Sequence, residues 1–261
     1  MGKAEKDYID QLDAQYKRQS VWTKDYRNRI YRQIGIKGAR RVLEVGCGTG
    51  TITKEIREKT SAQITAIDRD HLVIATAQEN ITDVEFYRMS VEKMSFRDET
   101  FNIVLCNYFF MWLDKPFKSL MEMVRVCKTG GYIVALAEPD YGGWIEHPDF
   151  GLGKQHIEGI KKQGADPFVG RKILSLFESA GLETNISVVA NVWEKERLLE
   201  QIKNEWKLVL ETEQITDEEY QEIMKKEVKT IEENMRMIFL PIFSAVGKKV
   251  RCVQEPKTTS S

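Results

Sequence analysis

Three glycines in five residues, Gly46-Cys47-Gly48-Thr49-Gly50, follow directly on the apolar run Val42-Leu43-Glu44-Val45. Glycine lets a backbone turn sharply and approach a ligand with no Cβ in the way. Ile52 and Ile56 then begin a helical pattern, so the free N–H groups of a helix start face whatever occupies the turn. Strand, glycine turn and helix open a nucleotide-type site. The spacing is Gly-x-Gly-x-Gly, which puts Thr51 where a dinucleotide fingerprint requires its third glycine. No Gly-Lys-Ser/Thr follows, so the turn is not a phosphate loop either. Asp68 ends the next apolar run. A carboxylate there can accept hydrogen bonds from both hydroxyls of a ribose lying across the turn, or it can cap a helix.

Other residues could do chemistry further along the chain. Phe109, Phe110, Met111 and Trp112 form four large apolar positions in a row, suited to an apolar ligand pocket or to core packing. The loop Glu138-Pro139-Asp140-Tyr141-Gly142-Gly143-Trp144, followed by Glu146-His147, lies beyond a strand end, where ligands of open parallel sheets bind. Tyr141 and Trp144 are its candidate ligand contacts. His147 is its candidate general base, because imidazole titrates near working pH. Near the N-terminus, Tyr16, Trp22, Tyr26 and Arg27 make an aromatic and basic cluster on a helical pattern.

The elements that must position these groups follow from periodicity. Residues 1–33 carry apolar positions three and four apart and are expected to be helical. Strands are expected at 41–45, 64–67, 84–87, 101–106 and 132–137. Helices lie between them, one opened by Pro116 and ended by Gly130-Gly131. Residues 138–165 read as irregular. A helix over Ile173–Ala180, a sixth strand at 184–192 and two charged amphipathic helices follow, the latter at about 194–211 and 217–236. Thr216-Asp217-Glu218-Glu219 is a capping box for the second. Met237 to Val246 is expected as the closing strand, with Pro241 at an edge or bulge. Alternation of this kind predicts an α/β fold: a mostly parallel sheet with helices on both faces.

The 261 residues suffice for a sizeable core, and 42% hydrophobic with 30% charged content fits a globular chain. Lys and Arg (39) nearly balance Asp and Glu (40), for a net charge of −1, which gives no basis for a nucleic-acid partner. No run approaches the roughly 18 apolar residues of a membrane span. The charged N-terminus does not read as a signal peptide. Cys47, Cys106, Cys127 and Cys252 are scattered, so no zinc site or disulfide framework is expected, and a cytoplasmic location is.

Val42 to Gly50, Asp68, and the run Leu120-x-Glu-x-x-Arg-Val-x-Lys-x-Gly-Gly131 resemble class I S-adenosylmethionine-dependent methyltransferases. The nearest likeness is the small-molecule branch that includes the menaquinone and ubiquinone methyltransferases. It covers residues 40–137 well, and 170–190 and 237–249 loosely. The resemblance implies a seven-stranded Rossmann-like sheet with an antiparallel last strand. It also implies one methyltransferase domain over 1–253, with N-terminal lid helices at 1–35, a helical insertion at 194–236 and a loose tail at 254–261.

The resemblance further implies a cofactor, S-adenosyl-L-methionine, and a small-molecule methyl acceptor. Glu44 and the backbone of Gly46, Cys47 and Gly48 would hold the methionine end, Asp68 the ribose, and Arg69 the adenine face. Ser90 and Val91 stand where the family usually has an Asp and its neighbour at the adenine edge. Asn107 stands where the family's backbone carbonyl meets the methionine amino group. Related enzymes fold an N-terminal helix over that end, which would bring Trp22 and Arg27 to the cofactor carboxylate. Phe110, Trp112, Tyr141 and Trp144 would meet the acceptor, and His147 would be the base. The 194–236 helices would cover the acceptor pocket or form a homodimer face. A non-catalytic, cofactor-binding regulatory or scaffold protein on the same fold is the alternative reading. A nicotinamide oxidoreductase is disfavoured by Thr51.

Overall fold

The computed structural model describes residues 2–190, 192–212 and 214–250; Cys252 and the tail 254–261 lie outside them. In chain order, α1 (Lys3–Trp22) and α2 (Lys24–Gln33) lead into β1 (Arg41–Val45), α3 (Thr51–Lys59), β2 (Gln63–Asp68), α4 (His71–Asn80) and β3 (Glu85–Arg88). Then come β4 (Phe101–Cys106), α5 (Pro116–Val126), β5 (Cys127–Pro139), β6 (Ile145–His147) and α6 (Leu152–Lys162). The chain continues through α7 (Ile173–Ser179), β7 (Leu182–Val189), α8 (Lys195–Glu211), α9 (Asp217–Glu232), β8 (Met237–Phe239) and β9 (Ile242–Lys249).

The main sheet has seven strands in the order β3-β2-β1-β4-β5-β9-β7. The first five run parallel, and β9 is antiparallel to both its neighbours. Strand order therefore reverses between β1 and β4, and ligands of such sheets bind beyond the strand ends at that point. Side chains alternate between two cores, as strand geometry requires. Val42, Ile64, Ile103, Leu105, Val134 and Leu136 pack with Ile30, Tyr31, Ile52 and Ile56 of α2 and α3. Leu43, Val45, Val104, Cys106, Ile133 and Ala135 pack on the other face with Leu120, Met123, Val126, Ile173 and Phe177 of α5 and α7. The near-continuous apolar runs of these strands are the mark of a sheet covered on both sides.

Four sequence expectations are corrected. The closing strand is two strands: β8 pairs with β6 in a separate two-stranded sheet, and β9 enters the main sheet. Pro241 stands at the break between them, where its missing N–H costs no ladder bond, and its carbonyl accepts from the Asp140 N–H at 3.0 Å. Gly130-Gly131 does not end α5. The helix stops at Val126, β5 starts at Cys127, and the two glycines absorb the register shift against β4 between Phe101 and Ile103. The sixth strand ends at Val189 rather than 192, with an isolated bridge from Val192 to Phe239 beyond it. Residues 138–165 are not irregular throughout, since they contain β6 and all of α6.

The helical pair α8–α9 is held by a buried charge network. Arg236, closed off from solvent, donates to both oxygens of Glu227 at 2.6 and 2.8 Å, to Glu146 at 2.6 Å and to the Pro148 carbonyl at 2.7 Å. Trp206 Nε1 of α8 donates to Glu227 at 2.8 Å, and the N–H of Gly153 in α6 donates to Glu146 at 3.1 Å. One guanidinium thus joins α9, β6, the start of α6 and, through Glu227, α8. The helices that roof the sheet's ligand end are fixed to one another by it.

Candidate active site

At the glycine turn the backbone takes left-handed angles at Gly46 (φ 72°), Gly48 (φ 52°) and Gly50 (φ 90°). A Cβ on Gly46 would run into the Phe109 ring, and one on Gly48 would come within 2.7 Å of the Tyr16 ring. Both aromatic rings sit close to the turn because it has no side chains there. The N–H groups of Gly46 and Cys47 go to the Ile67 carbonyl at 2.8 and 3.1 Å, and that of Gly48 to Asp68 Oδ2 at 3.0 Å. Asp68 therefore spans from β2 to the turn, with its other oxygen accepting from the Asp70 N–H at 3.0 Å. A carboxylate has about four lone-pair sites, so two remain for a ligand. Burial raises its pKa, held back by the N–H groups of Asp70 and Gly48.

Beside the turn, Glu44 is 2% exposed and its Oε2 has no partner. Burial pushes its pKa up to about 8. A buried carboxylate with an oxygen left unpaired is costly, and such groups cluster at functional sites. Across from it, α1 packs against α3 and α4 and contributes Tyr8, Leu12, Tyr16 and Gln19 to the same cavity wall. Thr49 of the turn donates to Asp13 of α1 at 2.7 Å, which pins the helix over the glycines.

The cavity has a volume of about 620 Å³, within the usual range for ligand sites. Of the residues singled out from the sequence, Glu44, Gly46, Cys47, Gly48, Asp68, Arg69, Ser90, Val91 and Asn107 all line it. Its second half is walled by the segment 107–113, by Tyr141, and by α6 and α8. Tyr108 holds φ 52°, unusual for a bulky residue, while its N–H donates to the Ala137 carbonyl at 2.8 Å and its buried hydroxyl has no partner. Glu138 fixes this segment from β5. Its carboxylate accepts from the N–H groups of Phe109 at 2.9 Å and Phe110 at 3.2 Å, and burial raises its pKa to about 7.

Several sequence expectations for this half are corrected. His147 does not line the cavity; it pairs with Met237 in the β6–β8 sheet and faces solvent. The histidine in the cavity is His156 of α6, whose Nε2 lies 3.2 Å from Glu205 Oε2 of α8. Phe110 turns into the core against Phe177, ring centroids 5.9 Å apart, whereas Phe109, Met111 and Trp112 line the cavity. Tyr141 lines it, and Trp144 stands behind, stacked on Tyr141 at 6.3 Å and 5.5 Å from the His156 ring. Arg27 is off the wall, with its guanidinium bidentate on Glu55 of α3 at 2.9 and 2.6 Å. Trp22 is off it too, packed on Trp193 at 5.1 Å. Sequence reasoning missed Tyr108, His156 and Glu205. The spacing Leu152, His156, Gly159, Ile160, Gln163 did carry a one-face signal for α6.

Residues 43–135 match the family described as a methyltransferase domain. The chain is 29% identical over 139 residues to a phosphatidylethanolamine N-methyltransferase of Cereibacter sphaeroides, covering 48% of this chain and 67% of that protein. It is 28% identical over 129 residues to a demethylmenaquinone methyltransferase of Renibacterium salmoninarum, covering 49% of this chain and 51% of that one. In fold it resembles a phosphoethanolamine N-methyltransferase of Haemonchus contortus solved with phosphomonomethylethanolamine and S-adenosylhomocysteine. That match has a TM-score of 0.59 and 15% identity over 87% of this chain and 53% of the other. The chain spans about half to two thirds of the length of these relatives. The group to be held is S-adenosylmethionine, and the residues present fit it: an orphaned buried carboxylate for its ammonium, a half-free Asp68 for its ribose, and a turn open to close approach. Residues 43–135 of the chain thus carry a methyltransferase domain of the S-adenosylmethionine-dependent kind.

Proposed function

We propose that this methyltransferase acts on a small-molecule acceptor held between the segment 107–113, α6 and α8. The observation that carries the reading is one continuous cavity with two chemically different walls. The glycine turn, Glu44 and Asp68 form one, and Tyr108, Tyr141, His156 and Glu205 form the other. When bound, the cofactor supplies an electrophilic methyl on a sulfonium, whose leaving group needs no protonation. The chain's residues then bind, orient and exclude water. Glu44 meets the ammonium end, Asp68 the ribose, Arg69 the adenine face, Ser90 and Val91 the adenine edge, and Asn107 the amino group. Tyr16 and α1 close over the glycines, so that acceptor and methyl meet in a dry site at about 3 Å.

His156 takes a proton from the acceptor, with Glu205 beside it to stabilise the imidazolium. In this reading residues 1–253 work as one domain, with α1 as lid and α8–α9 as cap. Among the described residues no helix is long and apolar enough to cross a membrane. The free, buried Cys47, Cys106 and Cys127 support a reducing, cytoplasmic setting. Calorimetry with S-adenosylhomocysteine tests the reading: binding by the native chain, lost in Asp68→Ala and Gly48→Val, is expected. Absence of binding by the native chain overturns it.

A further inference from the structure

The acceptor side of the cavity has a one-sided charge. Among the described residues its walls carry Asp114, Glu205 and Glu211, and no lysine or arginine; Arg69, next to Asp68, is the one such side chain on the whole wall. Arg197 shares α8 with Glu205 and its charge reaches both Glu205 and Tyr108, but it stands behind the wall and does not line the cavity. Its guanidinium stacks on Trp193 at 4.2 Å and Trp22 at 5.1 Å. The side chains of His156 (10% exposed) and Glu205 (8%) are nine-tenths buried. They approach to 3.2 Å without the alignment of a hydrogen bond, and His156 Nε2 has no hydrogen-bond partner. The Tyr108 hydroxyl on the same wall is also buried and unpartnered. An imidazole nitrogen and a phenol without hydrogen-bond partners thus share one wall with the Glu205 carboxylate.

We infer, on the methyl-transfer reading above, that the acceptor is an amine: a primary or secondary nitrogen, protonated in solution, on a body free of phosphate and carboxylate. An ammonium entering this chamber meets the Glu205 charge, the faces of Tyr108 and Tyr141, and acceptors for its N–H groups. A phosphate or carboxylate would be buried next to like charges with no lysine or arginine on the chamber wall to pair it, which proteins avoid. This separates the chamber from sites built for phosphorylated amines. His156 takes the ammonium proton. The freed lone pair forms the new N–C bond as the S–C bond breaks and its electron pair goes to sulfur. Positive charge thus ends on nitrogen, still facing Glu205.

The test uses the full chain saturated with S-adenosylhomocysteine and two matched probe sets. One is butylamine, butanol and butyrate; the other is tyramine, para-ethylphenol and para-hydroxyphenylacetate. Binding is read by saturation-transfer NMR and competition. In at least one set the amine is expected to bind about tenfold or more tighter than the neutral and anionic members. Glu205→Gln is expected to erase that preference while S-adenosylhomocysteine still binds. Equal or tighter binding of a neutral or anionic member, no amine binding in either set, or a preference unchanged in Glu205→Gln overturns the inference. Failure of S-adenosylhomocysteine to bind the native chain strikes the methyl-transfer reading instead.

Discussion

Glu44 stores a cost that the chain would not carry without a ligand to relieve it. Its carboxyl is raised by burial from 4.5 to about 8. Between those values the folded chain keeps a proton that the unfolded chain has lost, so stability falls as pH rises through the window. At about 1.4 kcal/mol per pKa unit, the cost is near 3 kcal/mol at pH 7 and near 5 kcal/mol above pH 8. Glu44→Gln removes the ionisation and keeps the shape. The variant is expected to match the native chain near pH 5 and to gain on it steadily up to about pH 8. In a chain of this size each kcal/mol is worth roughly 2–4 °C in Tm, so the gain near neutrality is several degrees. Glu138 titrates in the same window, near 7, but is present in both proteins and cancels in the difference.

The assay is thermal unfolding of both proteins without cofactor across that pH range. Parallel Tm curves, or a variant less stable than the native chain at pH 8, would refute the assignment of a costly Glu44 with an unpaired oxygen. Binding supplies a second arm. A cofactor ammonium beside Glu44 pulls its pKa back down, so association near pH 7 is expected to release a proton from the native chain and none from Glu44→Gln. Calorimetry in buffers of different ionisation enthalpy counts that proton. The variant that gains stability is thus the one that loses affinity, as expected where a site is held in a strained electrostatic state.

Other perturbations give sharper contrasts. His156→Asn should lower kcat by about 10²–10⁴-fold, the usual worth of a positioned base, with S-adenosylhomocysteine affinity retained; His147→Asn should leave both unchanged, and steady-state kinetics reads the difference. Gly48→Ala, which forces a Cβ at φ 52° against Tyr16, should abolish measurable cofactor binding and expose Tyr16 to solvent, read by calorimetry and fluorescence. Arg236→Met strands Glu227 and Glu146 without their shared cation and should cost about 3–5 kcal/mol in chemical denaturation, whereas removing both carboxylates with it should recover part of that loss.

The parts of this molecule that could be read in its sequence are those where local chemistry and tertiary role agree. β1, β2 and β4 are apolar because both faces are covered, and the turn at Gly46–Gly50 carries glycines because Phe109 and Tyr16 leave no room for a Cβ. Pattern reading failed at α6. Helix assignment from sequence assumes that the inward stripe is apolar. On α6 that stripe holds Gln155 and His156, with Gln163 just past its end, because it faces a cavity rather than a core. Leu152, Gly153, Gly159 and Ile160 are buried around them, and the two glycines admit Trp144 and Gln214 close to the helix. The same fact hid the choice between His147 and His156. Only the pairing of β6 with β8 turns the first outward, and only Glu205, some fifty residues further on, marks the second. A helix polar on its inner face is what a binding wall looks like in sequence. Here the segment that resisted assignment is the segment that walls the cavity.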